Sequence, residues 1–351
     1  MKETENLQVN LRKAREIVRS FLISKVPVMM WGPPGVGKSD LMNSFSEEFG
    51  NVIDLRLGQM MSTDVLGLPA PDFSKGTFKY LPLDMLPTKG KGIIFFDEIN
   101  QASREVQVAA LQLILDRRCG DYKIPDGYAI TAGGNRENDN AFVNPLSSAV
   151  KNRMGHIEIH PDLDIWIEDF ARPNNIDNSI IDFLKFRTEL LYKMESGSHA
   201  FPSPRTWAMA DKIVKANGTR KVRDSVGCVV SPAVAKEYQQ FLDIYMNTDL
   251  EGIAKGDKKA IPNFDAKENS DASFKYAVTL GVATYVAQHP KQKFNLDPFG
   301  KAINREFKMV FLQSVLSEKN GTEIIVDLTY DSDIWGEYTE KVMKETMLGD
   351  E

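Results

Sequence analysis

The residues best suited to chemistry fall in one short run. Gly32-Pro33-Pro34-Gly35-Val36-Gly37-Lys38-Ser39 matches G-x-x-x-x-G-K-[ST], with an apolar run at 26–31 before it and helical spacing at 38–49 after it. A glycine-rich turn between a strand and a helix lets backbone N–H groups close around a phosphate, and the helix N-terminus adds partial positive charge. Lys38 then supplies a cation for the β- and γ-phosphate oxygens. Ser39 supplies a hydroxyl ligand for Mg²⁺, and Asp40 completes the cofactor-binding run. The expected cofactors are ATP and Mg²⁺.

A second run complements the first. Ile93-Ile94-Phe95-Phe96 ends in Asp97-Glu98. Charge at the tip of a buried strand is costly unless a cation is near. Asp97 therefore reads as a second holder of Mg²⁺, and Glu98 as the group that orients the attacking water and takes its proton. Asn135 follows the apolar run at 128–132 across Gly133-Gly134, where it can hydrogen-bond the water or the γ-phosphate. Arg153 precedes the run at 156–159, after an expected helix at 144–152, and suits a γ-phosphate on a neighbouring copy. Arg205 falls in the first turn of a helix expected to start at Ser203-Pro204. The helix dipole disfavours a cation there, which makes an anionic partner a reason for its presence.

These residues require a sheet whose strands end together. Apolar runs at 26–31, 52–57, 92–96, 128–132 and 156–159 alternate with helical spacing at 38–49 and 105–117. That alternation predicts an α/β fold, a parallel sheet flanked by helices. Two interruptions read as insertions, about 61–87 with a hairpin at 73–80 around Lys75-Gly76, and about 119–128 with turns at Gly120-Asp121 and Asp126-Gly127. After residue 160 the pattern becomes helix after helix, at 162–171, 177–192, 204–215, 232–246, 272–288, 302–316 and 333–347, with 251–269 as a long loop. The expected domains are a nucleotide-binding core over 1–160 and a helical region over 161–351.

Taken together, these residues resemble the AAA+ ATPases, and within them the MoxR family. The run Gly32–Ser39 looks like Walker A and Asp97-Glu98 like Walker B. Asn135 resembles sensor 1, Arg153 the arginine finger and Arg205 sensor 2. Further similar stretches are Leu55-Arg56-Leu57-Gly58-Gln59, Gly67-Leu68-Pro69, Leu115-Asp116-Arg117-Arg118 and Gly134-Asn135-Arg136. The resemblance implies a P-loop NTPase core with a C-terminal all-α lid, and hairpin insertions facing the pore of a ring, usually a hexamer. It also implies ATP-driven remodelling of a protein client, often one with a von Willebrand factor A-like domain.

Composition narrows the alternatives. The chain has 351 residues, 42% of them hydrophobic, and a formal net charge of −6. Its first 160 residues carry 19 basic and 19 acidic groups, so the acidic surplus lies in the second half. Nucleic-acid binders need a basic face, so a DNA-dependent motor is the weaker alternative. A nucleotide-gated binding switch that recruits a partner is the other, although it has no need of Glu98. Two cysteines, a polar N-terminus and no apolar run of spanning length point to a cytoplasmic protein. Cys119, Cys228 and the four histidines lack metal-binding spacing and read as structural.

Overall fold

The computed structural model describes residues 7–119, 122–136, 144–146, 151–194, 197–218, 221–269, 271–318 and 320–348. Two compact units emerge. The first comprises Met1–Phe170, Met194–Ser198 and Ser203–Thr206; the second comprises Ala171–Lys193, His199–Pro202 and Trp207–Glu351.

The first unit is built on a six-stranded sheet. Its strands are β1 (Leu7–Val9), β2 (Val28–Trp31), β3 (Asn51–Arg56), β6 (Lys91–Asp97), β9 (Gly127–Gly134) and β10 (Gly155–Ile159). Their order is β1-β10-β2-β9-β6-β3, and every pairing is parallel. Five of the strands answer the five apolar runs. The sixth, β1, is a three-residue edge strand that hydrophobic patterning does not reveal.

The central strands are apolar on both faces, as a parallel sheet covered on both sides requires. On one face Ile93 and Phe95 of β6 pack with Met30, with Ala14, Val18 and Leu22 of α1 (Leu11–Ser24), and with Leu41 and Met42 of α2 (Lys38–Asn43). On the other, Ile94 and Phe96 meet Val106, Ala110, Leu113 and Ile114 of α5 (Arg104–Asp116). Ser103 caps α5 by accepting from Val106 N, and Arg117 ends it in the left-handed region. The helix expected over 38–49 is split, because α2 stops at Asn43 and α3 (Ser46–Phe49) follows after Ser44 turns its hydroxyl onto Leu41 O.

Both insertions contain a hairpin, each with corrected bounds. The first follows α4 (Ser62–Leu66) and consists of β4 (Leu68–Asp72) and β5 (Thr77–Leu81), so its arms are longer than 73–80. Pro69 faces Tyr80 and Pro71 faces Phe78. This hairpin is unusually bare, with Phe73 92% and Phe78 74% exposed. The second consists of β7 (Arg118–Cys119) and β8 (Tyr122–Lys123). It closes before the Asp126-Gly127 turn, which instead leads into β9. Gly120 and Asp121, and much of the helix expected over 144–152, lie outside the described residues.

In the second unit the long helices are α7 (Asn178–Phe186), α9 (Arg223–Val230), α10 (Pro232–Asn247), α12 (Ala272–Gln288), α14 (Arg305–Leu316), α15 (Gly321–Asp331) and α16 (Asp333–Leu348). α6 (Leu163–Trp166) precedes them in the first unit and passes into a π-helical turn, Ile167–Ala171. α8 (Pro204–Asn217) has its first turn in the first unit and the remainder in the second. α12 is buried nearly all round, and its Val278, Val282 and Val286 meet Phe299, Phe307, Phe311 and Trp335. The loop expected over 251–269 holds the tail of a short helix, α11 (Leu250–Ala254), capped by Asp249. α13 (Asp297–Ala302) was also hidden, and α14 starts only after the Asn304 cap.

Candidate functional site

The loop after β2 lies at the carboxyl end of a strand flanked in the sheet by β10 and β9. Gly32 N donates to Gly134 O at 3.2 Å, fastening the loop to the end of β9. Pro33, Pro34, Gly35, Val36 and Gly37 carry the chain round to α2, whose first turn contains Lys38, Ser39 and Asp40.

Four of the expected residues converge here. Lys38 is 8% exposed. Its Nζ donates to Gly32 O at 2.6 Å, to Pro33 O at 3.2 Å and to Asn135 Oδ1 at 3.3 Å. Ser39 Oγ donates to Asp97 Oδ2 at 2.9 Å, and Glu98 N donates to Asp97 Oδ1 at 2.9 Å. The tips of β6 and β9 therefore both meet the loop.

Asn135 is held by a residue the sequence reading missed. Asn100 Nδ2 donates to Asn135 O at 2.7 Å, and Asn135 N donates to Asn100 Oδ1 at 3.2 Å. The two glycines before Asn135 exist for space. A Cβ at Gly133 would lie 2.8 Å from Asp97 Oδ1, and one at Gly134 would lie 2.6 Å from Asn100 Oδ1. A polar residue two places beyond Glu98 was the available signal for Asn100.

Asp54 of β3 was also missed. Its Oδ1 is buried and, among the described residues, has no hydrogen-bond partner. Burial, then the nearby Asp97, pushes its carboxyl above the usual carboxylate range.

Could this site hold Mg²⁺? Among the described residues no three His, Cys, Asp or Glu side chains group into a metal site. Mg²⁺ asks for less, since one or two carboxylates with waters and substrate phosphates complete its shell. Ser39 Oγ and Asp97 Oδ2, hard oxygen donors already adjacent, fit that requirement.

The two arginines fall in different places. Ser203 Oγ accepts from Thr206 N at 3.2 Å, capping α8 and setting Arg205 in its first turn. A Cβ built on Gly35 would lie 3.4 Å from Arg205 Cβ, so this exposed arginine is rooted beside the loop. Arg153 is elsewhere. It precedes β10, and Gly155 pairs with Val28, at the amino end of β2. That register sets Arg153 about six residues of strand short of Gly32, roughly 20 Å at about 3.3 Å per residue. Arg153 thus lies at the end of the sheet opposite its own loop. There it shares a cavity of about 490 Å³ with Lys25, Asp116 and Arg117. Arg117 is occupied structurally, its Nη2 donating to Pro125 O at 3.1 Å and Tyr128 O at 2.7 Å.

The remaining polar residues have quiet explanations. His156 Nδ1 accepts from Trp31 Nε1 at 3.0 Å. Cys119 is buried, which pushes its thiol pKa up, and Cys228 is exposed; both are free thiols.

Residues 27–154 match the family model described as "AAA domain (dynein-related subfamily)". Among curated proteins none matches the chain. Similar solved structures include a candidate ATPase from Cytophaga hutchinsonii, 17% identical, covering 66% of this chain and 81% of that one with a TM-score of 0.37. Another is a point mutant of RuvB from Thermotoga maritima, 16% identical, covering 67% and 68%, TM-score 0.40. A third is NtrX from Brucella abortus in complex with ADP, 12% identical, covering 97% and 67%, TM-score 0.33. At those TM-scores no property of these proteins transfers to this one. The matched segment runs from the entry of β2 to the residue before β10, and it encloses the loop, the tip of β6 and Asn135. Residues 27–154 thus match an AAA domain, and the fold is the parallel-sheet P-loop NTPase fold of the AAA+ proteins, with a helical region after it.

Proposed function

We propose that this chain is an AAA+ ATPase of the MoxR type, which hydrolyses ATP with Mg²⁺ as a ring oligomer and remodels or activates a partner protein. The reading rests on the convergence of Lys38, Ser39, Asp97 and Asn135 around one loop, within 2.6–3.3 Å hydrogen bonds. In it, residues 1–160 are the nucleotide-binding core and 161–351 the helical lid and its extension.

Each residue then has one task. The loop from Gly32 to Ser39, with Asp40, surrounds the phosphates through its backbone N–H groups. Lys38 neutralises β- and γ-phosphate oxygens, and Ser39 and Asp97 hold the metal. Bound Mg²⁺ supplies charge neutralisation across those oxygens. Glu98 takes the proton of the attacking water, and Asn135 orients that water or the γ-phosphate. Arg205, rooted beside Gly35, reaches the γ-phosphate of its own copy. Arg153, on the far end of the sheet, serves the nucleotide of the next copy, and that requirement favours a closed ring, expected to be a hexamer.

The bare hairpin of β4 and β5 suits contact with a protein client, for which a von Willebrand factor A-domain protein is the leading candidate. No described helix is long and apolar enough to cross a membrane, and a cytoplasmic setting accords with the composition. The test is hydrolysis measured against protein concentration. Activity per chain rises with concentration if Arg153 acts between copies. Constant activity per chain from a protein that stays monomeric with ATP overturns the reading.

A further inference from the structure

Glu98 stands in an uncommon conformation. It follows the tip of β6 with φ of 55°, in the left-handed region, where a side chain of this kind is rarely found. Its backbone is fixed there by its own N–H on Asp97 Oδ1 and by Gln101 N donating to Glu98 O at 2.8 Å. Among the described residues no hydrogen bond or ion pair holds its carboxylate. Something else must define where that carboxylate rests.

The neighbour is a glycine in the turn Leu57–Gln59 that follows β3. A Cβ built on Gly58 would lie 3.0 Å from Glu98 Oε2, 3.6 Å from Glu98 Cβ and 3.4 Å from Gln101 Cβ. A contact of 3.0 Å is tighter than nearly all that real Cβ atoms make, so the carboxylate must give way by a few tenths of an ångström. Gly58 does not itself adopt a left-handed conformation. Backbone torsion therefore gives no reason for a glycine at this position; the space above its Cα does.

We propose that Gly58 is a positioning residue for hydrolysis, its bare Cα forming the surface on which the Glu98 carboxylate rests. This rests on the reading of Glu98 as the group that deprotonates water. A methyl group at position 58 meets the tip of a flexible side chain, not backbone, so the fold absorbs it by moving that tip. The fold is then undisturbed and the carboxylate is displaced. Displacement of a reacting group by about 1 Å can cost about 10²-fold in rate, and a shift of a few tenths of an ångström correspondingly less.

The test is Gly58→Ala, alone and combined with Glu98→Gln, assayed for turnover, Mg²⁺-ATP affinity and thermal midpoint. Turnover of Gly58→Ala is expected to fall about threefold to tenfold, with ATP affinity within about twofold of the parent and an unchanged midpoint. Added to Glu98→Gln, the same substitution should cause no further loss. A Gly58→Ala protein with parental turnover overturns the proposal. So does an equal further loss in the Glu98→Gln background, or a failure to fold, either of which makes the contact purely structural. If Glu98→Gln alone retains parental turnover, the assignment of Glu98 falls instead.

Discussion

Ser39 Oγ donates to Asp97 Oδ2 at 2.9 Å, across 58 residues of chain. The bond joins the first turn of α2 to the tip of β6. Asp97 is oriented from its other oxygen by Glu98 N. One carboxylate thus joins the helix proposed to receive phosphate and the residue proposed to activate water.

Lys38 is the most exposed to challenge of the binding residues. Its ammonium is buried among carbonyl and amide oxygens, and hydrogen bonds to charged groups are worth about 1.5–3 kcal/mol each. Lys38→Ala should weaken ATP binding by about tenfold to a hundredfold. Titration of a fluorescent ATP analogue checks this, and binding within twofold of the parent would refute the phosphate role.

Asn100 should matter as much as the residue it holds. Asn100→Ala leaves buried Asn135 N–H and C=O groups without their clamp. Leaving a buried polar group unsatisfied costs about 1–3 kcal/mol, readable as a lower denaturant midpoint. Turnover should fall along with it, while Asn100→Asp, which keeps an acceptor for Asn135 N, should recover part of both.

Arg153 gives a mixing prediction. Arg153→Ala and Glu98→Gln proteins should each be nearly inactive alone. Combined, they should regain hydrolysis, because some interfaces pair an intact Glu98 with an intact Arg153 from the next copy. Absence of any recovery across mixing ratios would place the role of Arg153 within its own copy.

Asp182, in the second unit, predicts a dependence of stability on pH. Its carboxyl is pushed up to about 7, by burial first, with Lys185 and the Thr284 hydroxyl opposing the rise and Glu318 adding to it. Thr284 Oγ1 donates to both carboxylate oxygens, at 3.1 and 2.9 Å. The folded-state pKa lies above the unfolded one, so the folded chain keeps a proton that the unfolded chain has lost. Stability should fall as pH rises from about 4 to about 7 and then level off, by on the order of a few kcal/mol. Asp182→Asn should flatten that slope in denaturation midpoints taken across the range. An unchanged slope would assign it to another group.

The sheet was legible because its strands are buried on both faces and stand out as unbroken apolar runs. Ile93-Ile94-Phe95-Phe96 could hardly be anything else. β1 was not legible, since three residues at an edge, two of them exposed, carry no period. α1 was hidden too. Its buried positions Ala14, Val18 and Leu22 form a narrow stripe in a charged sequence. The loop and the Asp97-Glu98 pair are local motifs, and their positions could be read directly. Asn100 and Gly58 act through contacts with residues distant in sequence, which no spacing rule exposes. The far placement of Arg153 follows only from strand register.

The prolines of β4 have a consequence beyond the hairpin. Pro69 and Pro71 pair with Tyr80 and Phe78, and because neither proline has an N–H, these must be the pairs whose backbone groups face outward. The free margin of β4 therefore offers no donor at either position to an incoming chain. A stretch this apolar and this exposed would otherwise invite edge-to-edge strand pairing between molecules in a crowded solution. The two imide nitrogens close that route along one flank, letting the protein keep a greasy, uncovered hairpin without zipping to its neighbours there.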